Sequence, residues 1–523
     1  MAHANKPDYR TWSREALIAR LDELEGQPAQ SPTLPAANSP AARQPRAFDW
    51  SKHSRRRIAL KVAYLGWDYY GVAAQGDQAT VPTVEAKLFE ALQQCRLIKG
   101  ARQCRFSRCG RTDRGVSGLG QVMALDVRSA IPSDQIEAVV GGIHPLTSDD
   151  ALVERARSQR LTAGGDEPLS RSAPQHLRKH WQAAAILGLT DLPAATTPWP
   201  TTALDQQELP YLRMLNRNLP ADIRVLAWAP VPLGFDARFD CLWRHYKYFF
   251  SLDAHPRLDI ARMRDAAQRF LGTHDFRYFC KLDPNKEVVN YQRTVLEIDI
   301  TPVEPCGVAA TAPWYQVDLR GSAFLWHQVR CMMSILFAVG QGLEDPSVVD
   351  WLLTVDPALG RPLYPLASEL PLILYDAYYT PALAWQAHDG TNSHHALELN
   401  HRTWQTTWAN LSTKAHIVQA GLGLMRQTMV PIALSTTRFD ALSWEQRQAL
   451  GGVPALLLLT GGGELQPMRD YQPLHQRKRL DNSSIHNERV CQRKARQDNP
   501  AMPTTVPLVG AKRKRPEPAS EAN

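Results

Sequence analysis

Hydrophobic and polar positions recur along this chain with two different periods, and the switches between them mark its elements. Ile58, Leu60, Val62 and Tyr64 repeat every second residue, the period of a half-buried strand, and Gly66–Gly71 (GWDYYG) breaks the run. Val84, Leu88 and Leu92 share one face of a helix predicted over Thr83–Leu97, and Val122–Val127 returns to strand. From 222 to 379 the exchange continues. Ile223–Ala229, Trp243–Leu252, Val295–Ile300, Trp314–Leu319 and Leu372–Tyr379 read as strands, Ile260–Leu271 and His327–Gln341 as helices. Strand and helix runs joined by short turns predict an α/β or α+β fold, with helices on one face of a mostly antiparallel sheet.

Outside this body the pattern changes. Leu17, Leu21 and Leu24 fall at helical spacing between a Ser13 cap and a Gly26 stop, and 27–46, with five prolines, read as a linker. Residues 154–206 are rich in Arg, Ser, Ala, Thr and Pro and are expected to be a disordered insertion. Residues 383–472 read as a helical, Trp-rich appendage, and from 473 the chain is expected to be a basic, disordered tail.

Composition narrows the class. With 523 residues, 44% hydrophobic and 21% charged, the chain exceeds a single core and is not disordered as a whole. The strongest apolar run, Val453–Leu459, is interrupted by Pro454 and falls far short of the ~20 residues of a membrane span. The N-terminus lacks the apolar segment of a secretory signal, so a soluble intracellular protein is expected. Eight cysteines are too sparse for a disulfide framework and lack paired metal-ligand spacing, so reduced thiols and no metal are expected. The net charge of +8 is concentrated at the ends: residues 471–523 carry a surplus of +6 and 1–57 one of +4, leaving the middle at −2. Basic ends on a near-neutral body suit arms for a polyanion, or address signals.

Three segments carry candidate chemistry. In Arg102–Arg114 (RQCRFSRCGRTDR), arginines at 102, 105, 108, 111 and 114 surround a single carboxylate, Asp113. That field is expected to hold its pKa below the usual ~3.9. An always-ionised carboxylate serves as nucleophile or electrostatic stabiliser; the other reading is a surface loop whose acid pairs with arginine. Arg330 lies near the start of an otherwise apolar helix, where it either snorkels to water or pairs with a buried acid, Asp113 being a candidate. On the strand around Arg244-His245-Tyr246-Lys247-Tyr248, Arg244, Tyr246 and Tyr248 share a face. That face suits an unstacked base beside a phosphate, or is an ordinary half-exposed strand.

Together these segments resemble the TruA-type tRNA pseudouridine synthases. Cys109–Val116 (CGRTDRGV) is similar to their catalytic signature, Tyr64–Gly71 to their first strand and turn, and Asn216–Ile223 and Phe235–Phe239 to further motifs in the same order. Gly272–Phe276, Phe279–Lys281, Tyr291–Thr294, Ala323–Met333 and Gly340–Gly342 resemble the eukaryotic branch acting at tRNA positions 38 and 39. The N-terminal helix and Met468–Tyr471 also fit that branch. The resemblance covers 48–153 and 207–380 well and 381–490 loosely. Val72–Gln75 lacks an aromatic common after this turn, and 154–206 exceeds what the fold needs.

The resemblance implies two similar ferredoxin-like halves, 48–230 and 231–382, forming one extended sheet with a central basic cleft, in a homodimer. It implies Asp113 as the catalytic aspartate, Tyr246 stacked on the target base, and Arg330 paired with Asp113. Arg111 would flip the nucleotide or hold its phosphate, and Arg108, Arg114, Arg244 and His327 complete the expected RNA-binding set. His327, with His53, His144 and His274, also reads as structural. Breaking the glycosidic bond, turning the uracil and rejoining it through carbon 5 moves no electrons to or from a second compound, so no cofactor is expected. The partner implied is tRNA at its anticodon stem–loop, with no membrane. A noncatalytic tRNA-binding or chaperone protein on the same scaffold is the alternative. Lys512-Arg513-Lys514-Arg515-Pro516 reads as a nuclear import signal or an RNA-holding tail, placing the protein in the nucleus, with the cytoplasm as a second location.

Overall fold

The structure is a computed structural model that describes residues 48–74, 81–162, 199–252, 258–283, 287–288, 290–304, 313–387, 394–429, 456–461, 464–468 and 471–498. The helix expected at 13–25, the Pro-rich linker, the Lys512–Pro516 run and residues 163–198 of the expected insertion lie outside them. The chain divides into two units, Met1–Asp49 and Trp50–Asn523, and the fold described here belongs to the second.

In chain order the elements are β1 (Arg55–Tyr64), α1 (Val84–Gln94), β2 (Ser107–Arg108), β3 (Ser117–Arg128), β4 (Gly142–Ile143), α2 (Asp149–Thr162), α3 (Tyr211–Asn218) and β5 (Ile223–Pro230). There follow β6 (Cys241–Ser251), α4 (Ile260–Gln268), β7 (Gly272–Asp275), β8 (Gln292–Val303), β9 (Trp314–Gly321), α5 (Gln328–Gly340), α6 (Val348–Leu353) and β10 (Leu372–Tyr379). The long α7 (His394–Met429), the hairpin β11 (Leu456–Gly461) and β12 (Glu464–Met468), and α8 (Ser483–Asp498) complete the elements of the described residues.

Ten strands form one sheet in the order β4-β1-β3-β10-β6-β9-β8-β7, with β5 also on β1 and β2 also on β3. Every pairing in it is antiparallel except β3 with β10, which run parallel through Ile373–Ser117 and Leu374–Gly118. That short junction joins an N-terminal set of strands to a C-terminal set. Each set has its own core. On the first, Ile58, Leu60, Val62 and Tyr64 of β1 pack with Val84, Leu88 and Leu92 of α1 and Tyr211, Leu212 and Leu215 of α3. On the second, Phe250, Ile298, Ile300 and Val317 pack with Met263 of α4 and Met332, Leu336 and Phe337 of α5.

Local chemistry sets the ends of these helices. The Thr83 hydroxyl accepts from Ala86 N at 3.3 Å and starts α1, and Asp259 accepts from Arg262 N at 3.0 Å and starts α4. Where β1 and β3 cross, Gly118 is required, because a Cβ there would lie 2.6 Å from the Tyr64 ring.

The flanks depart from expectation in two places. The expected insertion is structured at both ends: α2 runs to Thr162, and from Trp199 the chain packs again, the Trp199 ring standing edge-on to Phe235. Fully buried Arg56 pairs with Asp205 at 2.5 Å and Glu208 at 3.5 Å, an arrangement whose loss costs about 3–5 kcal/mol when one partner is removed. The tail is also ordered beyond 473. Leu474 is buried in the second core, Leu474 N and the Tyr471 hydroxyl both donate to Glu344, and α8 runs to Asp498. Lone apolar residues among many charges give no local period, so this segment reads as disordered until its partners are known. The appendage holds the hairpin β11–β12 as well as a helix; the run Leu456–Leu459 has no polar alternation, so its sequence pattern does not announce the strand. Among the described residues no helix is long and apolar enough to cross a membrane.

Candidate active site

The loop Cys109–Val116 leads from β2 into the head of β3, beside the parallel junction with β10. Its backbone is tied down at nearly every residue. Cys109 N donates to Val122 O at 2.8 Å, Gln121 Nε2 to Gly110 O at 2.8 Å, Val72 N to Thr112 O at 3.2 Å and Gly115 N to Tyr69 O at 3.2 Å. The Thr112 and Tyr64 hydroxyls share a hydrogen bond of 2.8 Å. Gly115 has φ +79°, and a Cβ on it would lie 2.8 Å from Glu369 Cγ, so a glycine suits this turn on both counts.

Asp113 is thereby held on a rigid turn with its carboxylate partly withdrawn from water. Oδ1 accepts from Trp326 Nε1 at 3.1 Å, and Oδ2 lies 3.3 Å from His327 Nε2. Burial pushes its carboxyl above the ordinary value; the Trp326 bond and the charges of Arg330 and Lys281 pull it down, while Glu369 pushes it up. This corrects the expectation of a pKa depressed by the arginine run. Arg105 is spent on Asp126 at 2.5 Å and Arg108 on buried Glu85 at 2.9 Å, while Arg111 and Arg114 point to solvent. The positive field on Asp113 comes instead from Arg330 and Lys281.

Arg330 has a different partner from the one expected. Its Nη2 pairs with Glu369 Oε2 at 2.7 Å and its Nε donates to Ala367 O at 2.6 Å. Among the described residues no ion pair joins it to Asp113, and it reaches that carboxylate through space. Arg330 acts on His327 as well. Burial and the charges of Arg330, Lys281 and Arg361 push the His327 imidazole down to about 3, so near neutral pH its contact with Asp113 is that of a neutral ring, not an ion pair.

Tyr246 extends from β6, opposite Leu374 of β10 and Leu319 of β9. Its ring meets Phe324 edge-on at 5.1 Å, and a Cβ on Gly110 would lie 3.9 Å from its hydroxyl, so it stands against the Asp113 loop. Burial raises its phenol well above the ordinary value, helped by Cys109, Tyr64 and Asp113. A phenol that resists ionisation is suited to stacking rather than to taking a proton. Tyr248, expected to be a second platform, is in the core with its hydroxyl on Ser368 O.

Arg244 turns away from any phosphate. It is buried, and its two terminal nitrogens donate to four backbone carbonyls, of Cys241 (3.2 Å), Ser322 (2.6 Å), Cys109 (3.1 Å) and Arg238 (2.7 Å). It staples the catalytic-type loop to β6 and to the turn after β9. Arg114, by contrast, is exposed with its guanidinium 4.3 Å above the Tyr70 ring, and Lys281 Nζ lies 5.3 Å over Trp326. Among the described residues no three His, Cys, Asp or Glu side chains converge as a metal site, and the seven described cysteines are free thiols; Cys306 is outside them. Sequence alone singles out neither Trp326 nor Glu369. Trp326 adjoins His327 and Arg330 in chain order, but Glu369 has no local signal.

Asp113 on a rigid turn, the Tyr246 ring beside that turn and exposed Arg111 and Arg114 on it make an arrangement compatible with an enzyme that acts on a nucleic acid. Residues 266–380 match the family model described as tRNA pseudouridine synthase. The chain is 38% identical over 438 residues to the tRNA pseudouridine(38/39) synthase of Mus musculus, covering 83% of this chain and 76% of the relative. It is 37% identical over 398 residues to the Saccharomyces cerevisiae protein of the same name, covering 72% and 73%, and 29% identical over 297 residues to tRNA pseudouridine synthase A of Methanosarcina mazei, covering 57% and 74%. The chain belongs to the TruA family of tRNA pseudouridine synthases and is an isomerase.

Arg244→Lys should separate stapling from phosphate binding. A lysine ammonium cannot span four carbonyls, so conversion should fall at least about tenfold while the salt dependence of tRNA binding keeps its slope. A slope reduced by about one unit would instead place Arg244 on a phosphate.

Proposed function

We propose that this enzyme isomerises uridine to pseudouridine at position 38, position 39 or both in the tRNA anticodon stem–loop. The relatives in mouse and yeast that carry those positions in their names support the choice of substrate. The observation that carries the chemistry is Asp113, presented on the stapled turn at the centre of the sheet with Trp326 and His327 on its carboxylate.

In this reading the uridine leaves its stack and enters the cleft, where Tyr246 stacks on the base. The ionised Asp113 attacks C1′ of the ribose or takes its 2′ proton. Either route breaks the C1′–N1 bond; the uracil turns and C5 bonds to C1′ as the carboxylate leaves that carbon or as C2′ regains its proton, and loss of the C5 proton with protonation of N1 gives the product. Arg330, anchored on Glu369 and Ala367, supplies positive potential without quenching the carboxylate in a direct pair. Exposed Arg111 and Arg114 hold the phosphates on either side of the flipped nucleotide. Arg108 and Arg244, with their internal partners, are left out of that set. Asp113→Asn should abolish new pseudouridine at 38 and 39 in unmodified tRNA, mapped by chemical labelling, with tRNA affinity within about threefold of wild type. Conversion by that variant at the wild-type rate refutes the assignment.

The proposed active form is a homodimer. Along α7, Trp404, Trp408, Leu411, Ala415, Val418, Leu422 and Met425 follow a strict four-three spacing, and most of them are exposed. Lys414 is the one formal charge between 403 and 425. A heptad stripe of this kind suits pairing with the same helix of a second copy. Leu411→Glu with Leu422→Glu should halve the mass measured by light scattering to the 58.6 kDa of one chain. An unchanged mass removes α7 from the contact.

The basic run Lys512–Pro516, outside the described residues, is proposed to direct the enzyme to the nucleus. A reporter carrying residues 505–523 should accumulate there and lose that preference when Lys512, Arg513, Lys514 and Arg515 become alanine. Equal distribution of both reporters excludes the signal.

A further inference from the structure

The turn Leu325–Gln328 is built in a way that its place in the fold does not require. His327 is the N-cap of α5, yet its side chain makes no capping hydrogen bond and its backbone lies in the left-handed region, at φ +61° and ψ +11°. A residue with a Cβ is strained in that region and persists there only where the surroundings enforce it. They do so here. Gln328 Oε1 accepts from Leu325 N at 2.8 Å, Lys281 N donates to Trp326 O at 3.1 Å, and the following helix is buried along most of its length. The strain turns the imidazole away from the helix end and toward Asp113, with Nδ1 buried and without a hydrogen-bond partner. An imidazole that surrenders one nitrogen and caps nothing is placed for its other nitrogen.

The neighbouring residue points the same way. The Trp326 indole lies 4.5 Å from the His327 ring, and its N–H is on the opposite carboxylate oxygen. Two consecutive residues thus put one nitrogen on each oxygen of Asp113. Two residues earlier, Phe324 braces Tyr246. One short segment backs both groups to which the proposed chemistry assigns the reaction.

We infer that Trp326 and His327 are positioning residues that hold the Asp113 carboxylate by its two oxygens and keep it ionised in the cleft. This rests on the reading of Asp113 as the reacting carboxylate. Three charges act on the same group, Arg330 from α5, Lys281 from the segment after β7 and Glu369 from the loop before β10; the Tyr246 phenol faces it from β6, and Arg111 and Arg114 on its own turn are exposed to solvent. Lys281 and Arg330 act on that carboxylate through their charge. A neutral donor therefore changes the titration of Asp113 without altering the net charge of the cleft. The indole N–H is such a donor, and the neutral imidazole, whose Nε2 lies 3.3 Å from the second oxygen without a formed hydrogen bond, is placed to become one. Removing an N–H from an ionised carboxylate raises its pKa, because the bond favours the charged form. Activity needs that form, so the acid limb of the rate profile must move to higher pH.

The test is a single-turnover pH profile, from about pH 5 to 9, on full-length Trp326→Phe, which keeps a ring and removes the N–H. The expected result is an acid limb moved up by about one unit, which is about a tenfold lower rate on that limb, with KM for tRNA unchanged. His327→Ala should give a similar shift and His327→Gln, which restores an N–H donor, should reverse most of it. Thermal unfolding of each variant separates loss of fold from loss of donor, and the His327 pair decides the matter if Trp326→Phe does not fold. A profile superimposable on wild type, or a loss equal at every pH that Gln does not rescue, overturns the inference. Asp113→Asn run in parallel keeps the two readings apart: if it still converts uridine, the catalytic assignment itself fails, whatever the Trp326 variant does.

Discussion

A carboxylate drawn out of water keeps its charge only where other dipoles and cations replace the solvent it has lost. Asp113 is in that position, since burial is the largest influence on its titration and acts against ionisation. The answer in this fold is distributed. The turn that carries Asp113 is locked by β3, by the segment after β1 and by the Arg244 staple, so the carboxylate has a fixed place. Trp326 and His327 meet it from the start of α5, and Arg330 and Lys281 supply potential from a distance. The parallel junction of β3 and β10 brings these pieces together, because it sets the head of β3 beside the C-terminal strands and their helices.

The arginines show how burial divides one residue type into several roles. Arg56, Arg57 and Arg244 are buried, and each is matched by internal acceptors: carboxylates for Arg56, Asp126 and the Phe235 carbonyl for Arg57, four carbonyls for Arg244. Arg105, Arg108 and Arg330 are partly buried and committed to Asp126, Glu85 and Glu369. Arg111 and Arg114 remain exposed beside the cleft. A guanidinium whose donors are already satisfied inside the protein gains little by turning to a phosphate and leaves a buried acceptor or acid behind if it does. The basic character of 102–114 in the sequence therefore overstates how much of it faces RNA.

Much of the architecture is legible locally. The alternation at Ile58–Tyr64, the helical face at Val84–Leu92 and the strand and helix runs from 222 to 379 all form elements within a few residues of their expected ends. Asp113 and Tyr246 stand out because a lone acid among arginines and an aromatic next to a cation are unusual in short windows. Long-range choices are not legible. Nothing near Arg244 announces that its acceptors lie at 109, 238 and 322, and nothing near Glu369 announces Arg330. His327 reads from sequence both as structural and as an RNA contact; its backbone torsion, which decides where the ring points, has no signature in composition or period.

By itself, then, the sequence determined the element types, the two-part run of strands and helices, the carboxylate to which the proposed chemistry is assigned and the family that its motifs resemble. These depend on hydrophobic period and on short motifs, which are local. The tertiary structure alone decided which strands became neighbours, which arginines were consumed in the interior and which side chains reached Asp113. It also reversed the expected direction of that group's titration. The reason is that burial and charge partners are properties of a place in three dimensions, and residues more than two hundred positions apart, such as Asp113 and Trp326, share one place only after the chain has folded.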